Sequence, residues 1–239
     1  MEETGNYLHL SGILTDTPEY GHEVFGEKFY YATLSVPRLS GAEDLLPVTI
    51  SERLMEGVKL EVGSPLCFEG QLRSYNKVIE GAGRLLITGF AQRLLDPDTE
   101  ENPNQVQLTG ALCKPPSYRT TPFGREIADL MLAVNRAYGK SDYIPCITWG
   151  RTARFASHLK VGDKVTLLGR FQSRAYQKQL ADGTVLNKTA YEVSVGRLSM
   201  AENFVQPSAP FVVRQPPREE SPIHYDSIGT DATLFGNPQ

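Results

Sequence analysis

Residues 105–112 read QVQLTGAL, and residues 7–14, 98 positions earlier, read YLHLSGIL. In both stretches every second residue is apolar or glycine, which is the pattern of a strand with one buried face. The offset of 98 holds as far as Pro47 and Pro145 and then becomes 99. A repeat of about 100 residues has the size of a small domain and is too long for a solenoid unit. The sequence therefore predicts two copies of one fold.

The repeat sets the predicted domain limits. We place the first copy at 1–96 and the second at 104–203. The stretch 97–103 between them is polar and bounded by proline, as is typical of a linker. Residues 204–239 are rich in proline and lack a periodic apolar pattern, which predicts a flexible tail.

The order of predicted elements indicates the fold class. Beyond its first strand, the second copy favours a short helix at Thr152–Leu159 and strands at 127–136, 143–149, 164–178 and 185–198. Three strands, a short helix and two more strands are the order of an OB-fold, a five-stranded Greek-key barrel. We therefore predict an all-β protein with two tandem OB-folds and a C-terminal tail. Five extra residues in the second copy predict a longer final hairpin there.

Composition narrows the class of protein. No run of about 18 apolar residues could span a bilayer, and the first ten residues, MEETGNYLHL, do not resemble an export signal. The cysteines lie singly in apolar segments and the four histidines are scattered, so we expect neither a metal site nor another cofactor. No phosphate-binding glycine loop or catalytic triad motif is present, which argues against an enzyme. We expect a cytoplasmic, nucleoid-associated protein.

The two copies differ in the sign of their net charge. Residues 1–98 hold eight basic and fifteen acidic side chains, whereas residues 104–203 hold fourteen basic and seven acidic ones. A polyanionic ligand needs clustered cations, so the second copy is the better candidate to bind one. The acidic first copy is predicted to have a different task.

Alternation along the predicted strand 164–178 places cations and one ring on the face opposite Val165, Leu167 and Phe171. That face would carry Arg170, Gln172, Arg174, Tyr176 and Lys178. Aromatic rings that stack on bases, flanked by cations that contact phosphates, are typical of single-strand binding surfaces. Tyr143 and Trp149 share a face of the preceding strand. At the positions of Tyr138, Tyr143 and Trp149 the first copy has Ser40, Leu45 and Ser51, and only Tyr75 remains as a counterpart of Tyr176.

Residues 132–139, 142–153 and 161–176 resemble the bacterial single-stranded-DNA-binding proteins. The resemblance covers about residues 104–200 and implies base stacking at Tyr138, Tyr143, Trp149 and Tyr176. The candidate site also includes the first-copy ring and the neighbouring cations, namely Tyr75, Arg136, Lys140, Arg151, Arg170, Arg174 and Lys178.

The resemblance implies sequence-tolerant binding and protection of single-stranded DNA in replication, recombination or repair. It also implies a homodimer that presents four OB-folds, with replication or repair proteins as further partners. In this family a tail usually ends in an acidic segment capped by Pro-Phe, whereas this sequence ends LFGNPQ at 234–239. Two alternatives stay open: a specialised primosomal or RNA-binding OB protein, and a scaffold that docks a protein partner on its acidic first copy.

Overall fold

The computed structural model of the chain describes residues 5–79, 82–97, 102–136, 139–179 and 183–203. Within these residues the first copy forms β1 (Asn6–Leu14), β2 (Glu19–Val24), β3 (Glu27–Pro37), β4 (Glu43–Ser51), α1 (Glu52–Met55), β5 (Pro65–Ile79) and β6 (Ala82–Leu95). The second forms β7 (Asn104–Leu112), β8 (Ser117–Thr120), β9 (Glu126–Asn135), β10 (Ser141–Trp149), α2 (Gly150–Ala156), β11 (Lys164–Gln179) and β12 (Val185–Met200). A 3-10 turn follows at Ala201–Asn203.

Each set of strands forms an OB-fold barrel, so the predicted all-β fold class is confirmed. The strand order is β2-β3-β4-β6-β5-β1 in the first barrel and β7-β11-β12-β10-β9-β8 in the second. Each barrel closes because its first strand pairs with a strand on either side: β1 with β5 and β3, and β7 with β11 and β9. A side chain at Gly12 or Gly110 would overlap a backbone carbonyl at these closures, of Ser35 and Ala133 respectively.

The core of each barrel follows the predicted alternation. In β1, Leu8, Leu10 and Leu14 are buried, and β7 repeats this with Val106, Leu108 and Leu112. Alternate residues of β4 and β10 also point inward, among them Ile50 and Ile144. The face of β3 and β4 that points away from the core is the outer face of the first barrel, and the corresponding face of β9 and β10 is the outer face of the second.

Two local predictions differ from the structure. The helix α2 begins at Gly150, directly after β10, and its regular part ends three residues earlier than predicted. Residues 157–159 continue as a tighter turn, in which the backbone N–H of Leu159 donates to the carbonyl of Ala156. The strands β2 and β8 were not predicted, because they lie at sheet edges and almost all residues of β2 are exposed, which removes the period-two signal.

The remaining expectations have different outcomes. The second hairpin is longer, with two strands of 16 residues against 15 and 14 in the first. Cys67 and Cys146 are buried, whereas Cys113 is half-buried. No helix in the described ranges is long and apolar enough to cross a membrane. The predicted tail lies outside the described residues, and the limits of the two domains stay a prediction.

The two barrels join through their first strands. β1 pairs antiparallel with β7 from Asn6 opposite Leu108 to Leu10 opposite Asn104. Leu8 and Val106 are equivalent in the repeat and lie opposite each other, so a local two-fold axis passes between them. The result is one continuous sheet of twelve strands within the described residues. We call this contact the junction.

A buried carboxylate holds one side of the junction. Asp44 of β4 has no exposed surface. It accepts hydrogen bonds from Arg38 of its own barrel, at 2.8 Å from Nε, and from the backbone N–H of Ser173 in the other barrel at 2.8 Å. Arg170 of the second barrel is ion-paired with the same carboxylate. Since a buried charge is costly unless it is paired, these contacts fix the relative position of the barrels.

The two-fold axis repeats the carboxylate, its own-barrel arginine and the hairpin serine at Asp142 of β10, whereas the arginine from the other barrel comes from a different position of its hairpin. Its carboxylate is fully buried and accepts hydrogen bonds from Arg136 Nε at 2.5 Å and from the N–H of Ser74 at 2.5 Å. Arg73 of the first barrel is its further ion-pair partner, at 3.2 Å. The Ser74 hydroxyl oxygen also accepts the backbone N–H of Tyr143 at 2.7 Å. Each barrel therefore has one hairpin serine, Ser74 or Ser173, that is hydrogen-bonded to the other barrel.

Candidate nucleic-acid interface

The predicted rings of the second barrel lie on strands, with their backbones fixed by the sheet. Tyr143 and Trp149 occupy β10 on the side opposite the buried Ile144, and both are half-buried. Tyr176 of β11 is also half-buried and lies opposite Lys188 of β12. Tyr138 lies outside the described residues. The structure thus brings Tyr143 and Trp149 onto one outer face, as the alternation predicted.

Trp149 sits at the point where β10 passes into α2. It is opposite Ile127, which is fully buried, so the indole covers apolar surface as well as reaching the outer face. Its indole Nε1 is buried and has no hydrogen-bond partner among the described residues. A buried N–H donor without an acceptor costs about 1–3 kcal/mol.

The predicted stripe of cations is corrected by the structure. The Arg170 side chain is only 7% exposed and belongs to the junction, where burial lowers its pKa below the usual arginine value. Arg136 is likewise bound to Asp142. Arg174 forms an ion pair with Glu192 at 3.0 Å. Sequence parity grouped Arg170 and Arg174 on one face of their strand but could not reveal the carboxylates that reach them from other strands.

Two of the other predicted cations have exposed side chains, and for a third only the backbone is described. Lys140 precedes β10, and Arg151 lies in the first turn of α2, two residues after Trp149. Lys178 is placed by its backbone in β11. Tyr75, the predicted ring of the first barrel, is 39% exposed. Burial raises its pKa above the usual tyrosine value, with a further contribution from Tyr31 beside it.

Sequence reasoning missed a group of rings on the outer face of the first barrel. The group comprises His22, Phe29, Tyr31, Tyr75 and Phe90, and we call it the first-barrel ring band. Comparison at matching repeat positions did not find it, because none of these residues has a ring at its matching position in the second copy. The predicted match of Tyr75 with Tyr176 was wrong: Ser74 and Ser173 are the equivalent hairpin residues, so Tyr75 matches Arg174. A count of aromatic residues on each strand face would have found it.

The fold and these half-exposed rings define an OB-fold protein with an aromatic outer face. The model of the single-strand binding protein family matches residues 103–201. The chain is 37% identical over 83 residues to single-stranded DNA-binding protein B of Bacillus subtilis, covering 32% of this chain and 74% of that protein. The chain belongs to the single-strand binding protein family.

Other relatives match over less of their length. Single-stranded DNA-binding protein A of Bacillus subtilis is 41% identical over 83 residues, which cover 32% of this chain and 48% of that protein. The chain spans about half to three fifths of the first relatives it matches.

Solved structures extend the likeness to both barrels. A deletion mutant of the single-stranded DNA binding protein from Thermus aquaticus matches with a TM-score of 0.63 and 25% identity, over 85% of this chain and 98% of that one. The wild-type protein from the same organism matches with a TM-score of 0.64 and 23% identity, over 90% and 96% of the chains, which shows the fold. The likeness thus spans more than the second copy alone.

Proposed function

We propose that this chain binds single-stranded DNA without strong sequence preference and protects it during replication, recombination or repair. The observation that carries the proposal is the placement of Tyr143 and Trp149 on one half-exposed face of a barrel in this family. Flat rings stack on any unpaired base, because every base presents a π-face, and this makes binding tolerant of sequence.

The roles of the candidate residues follow from where they lie. Trp149, Tyr143 and Tyr176 stack on bases, and Tyr138 is a further candidate for that role. Lys140 and Arg151 contact phosphates from exposed positions, and Lys178 is a further candidate for that role. The arginines of the junction, Arg136 and Arg170, have a different role: they hold the two barrels in place. The chain acts by binding and needs no catalytic group or cofactor.

The assembly that we propose is a homodimer. Two barrels per chain then present four OB-folds to one strand, and a closed two-fold assembly is the commonest form of such a complex. Replication or repair proteins are further proposed partners. The protein acts in the cytoplasm at the nucleoid.

The test is a fluorescence titration of the full chain with oligothymidine. Trp149 is the single tryptophan, so its emission reports on one place. Stacking on a base should quench it strongly. Trp149→Ala, followed by anisotropy of a labelled oligomer, should weaken binding by about 5- to 150-fold, because one base stack is worth about 1–3 kcal/mol.

Phe123→Ala is the matched control, since Phe123 is 70% exposed in the turn between β8 and β9 and lies outside the site. It should bind as the unaltered protein does. Unquenched emission at saturation, or a Trp149→Ala variant with unchanged affinity, would contradict the proposal. Parallel titrations with poly-U and duplex DNA decide the alternatives: preference for poly-U indicates an RNA-binding factor, and absence of binding to any of them indicates a protein scaffold.

A further inference from the structure

The two ends of the continuous sheet are formed by equivalent strands of the two copies. β2 ends the sheet on the side of the first barrel and β8 ends it on the side of the second, so each has one side without a neighbouring strand in the described part of the chain. A strand of this kind is a ready surface for contact with another chain. We call residues 15–26 the β2 edge and residues 113–125 the β8 edge.

The two edges carry opposite charge. The β2 edge has no lysine or arginine and holds three acidic side chains, namely Asp16, Glu19 and Glu23. The β8 edge has no aspartate or glutamate and holds three basic side chains, namely Lys114, Arg119 and Arg125. The sign of the charge therefore reverses between two stretches that occupy the same place in the repeat.

Two of the three charges on each edge reach solvent. Glu19 and Glu23 of β2 are exposed, and Lys114 and Arg125, which lie on either side of β8, are half-buried. The third charge of each set is engaged within its own barrel, by a backbone N–H in the first and by a carboxylate in the second. Each edge therefore presents two charges of one sign to a neighbouring molecule.

Both edges also have two exposed rings at matching positions of the repeat. Tyr20 and its equivalent Tyr118 are 59% and 41% exposed. Phe25 is fully exposed in the turn after β2, and its equivalent Phe123 is 70% exposed in the turn after β8. Aromatic residues are enriched where proteins contact each other. The two copies thus share the apolar part of the edge and differ in its charge.

The opposite charges determine which edges can meet. Charged side chains on an edge strand normally keep it from pairing with another copy, because like charges repel. Two β2 edges repel each other in this way, and so do two β8 edges, whereas a β2 edge attracts a β8 edge. A device that only prevented aggregation would use one sign on both edges. The charges therefore favour one contact between copies and oppose the other two.

We infer that the β2 edge of one molecule docks on the β8 edge of the next when two molecules lie side by side on one single strand. The occupant of each edge is a second copy of this chain, identified by complementary charge and by the rings that both edges share. The contact joins two different surfaces, so it can be repeated along a strand without closing on itself. It rests on the proposed function, because the strand aligns the molecules, and it is separate from the contact that forms the homodimer.

The experiment compares an oligothymidine that holds one molecule of the full chain with an oligothymidine twice as long. Quenching of Trp149 by the short oligomer gives the affinity without a neighbour, and Phe123→Ala should bind this oligomer as the unaltered protein does. On the long oligomer the second molecule should bind about 10-fold more tightly than the first, because exposed ion pairs are weak singly and several act together. This gain should disappear in 1 M salt, where the screening length is about 3 Å.

Reversal of the charge on one edge should abolish the gain. Glu19→Lys with Glu23→Lys makes both edges basic, and Lys114→Glu with Arg125→Glu makes both edges acidic. Either double variant alone should bind its second molecule no more tightly than its first. An equal mixture of the two double variants should restore the gain, because every basic edge then has an acidic edge to meet. The gain is a ratio of two affinities, so a general change in affinity for DNA cancels.

The matched control is Glu56→Lys with Glu61→Lys. It changes the charge of the first copy by the same amount as the β2-edge variant, at exposed positions outside both edges. This control should keep the gain. A loss of the gain in the control would overturn the inference, because the effect would then follow net charge and not the edges.

Three further results would decide the matter. Retention of the gain by either edge variant, or a mixture that fails to restore it, would overturn the inference. Light scattering without DNA should give the same mass for the edge variants and the unaltered protein, and a smaller mass would overturn the inference by placing the edges in the homodimer contact. Failure of the unaltered protein to bind the short oligomer would instead contradict the proposed function.

Discussion

Replacement of Asp44 by alanine should destabilise both barrels, although Asp44 belongs to the first. Its carboxylate has no exposed surface and is ion-paired with Arg38 and Arg170, whose side chains are 6% and 7% exposed. Removal of the carboxylate leaves two buried guanidinium groups without their anion, and the Ser173 N–H loses its acceptor. Breaking a buried pair in this way costs about 3–5 kcal/mol.

Trp149 lies in the second barrel and Asp44 in the first, so Trp149 emission can show whether a change at Asp44 is transmitted across the junction. Urea unfolding is followed by Trp149 emission, which reports on the second barrel, and by circular dichroism, which reports on all strands. If Asp44 couples the barrels, both transitions of Asp44→Ala move to lower urea by the same free energy. For a chain of this size the melting temperature should fall by about 2–4 °C for each kcal/mol.

The control is Glu61→Ala, which removes a surface ion pair between Lys59 and Glu61, with side chains 82% and 57% exposed. An exposed pair contributes about 0–1 kcal/mol, so this variant should unfold almost as the unaltered protein does. The reasoning is refuted if Asp44→Ala stays within about 1 kcal/mol of the unaltered protein. A shift in circular dichroism with no shift in Trp149 emission would show that Asp44 stabilises its own barrel only.

Two further predictions concern binding and assembly. Arg151→Gln should lower the slope of log affinity against log salt by about 1, because one phosphate contact is lost, whereas Arg154→Gln should change it less, since Arg154 is already paired with Glu126 at 2.8 Å. Titrations at several salt concentrations measure both slopes, and equal slopes would argue against a phosphate contact at Arg151. Light scattering at micromolar concentration should give the mass of two chains, and a monomer would contradict the proposed homodimer.

The barrels could be predicted from sequence because their strands are amphipathic. β7 alternates in burial as it does in sequence, and β1 does so except at His9, which is buried between Leu8 and Leu10. The repeat identified the second copy from the first. The edge strand β2 could not be predicted in this way, since a strand exposed on both faces has no reason to alternate. The edge strand β8 has only four residues, too few to show a clear period.

The junction was beyond sequence reasoning because its contacts join distant residues of opposite copies. Asp44 and Ser173 are 129 positions apart, and no sequence pattern links the two residues. The same separation in sequence explains why Arg170 was wrongly predicted to belong to a stripe of cations that bind the ligand. Its charge and parity could be read from the sequence, whereas the buried carboxylate that neutralises it comes from the other barrel.

The two copies share their buried carboxylates and hairpin serines at the junction and differ on their outer faces for a physical reason. Asp44 and Asp142 are buried, so each of their oxygen atoms needs a donor at a fixed place, and a change on one side leaves a charge unpaired. A ring on an open face needs only contact with its neighbours on that face. Cross-strand neighbours in a sheet lie about 5 Å apart. A ring on β3, Phe29, can therefore cover the same part of the outer face in the first barrel that Trp149 on β10 covers in the second. The property that the two faces share is the presence of rings, which a position-by-position comparison of the copies does not detect.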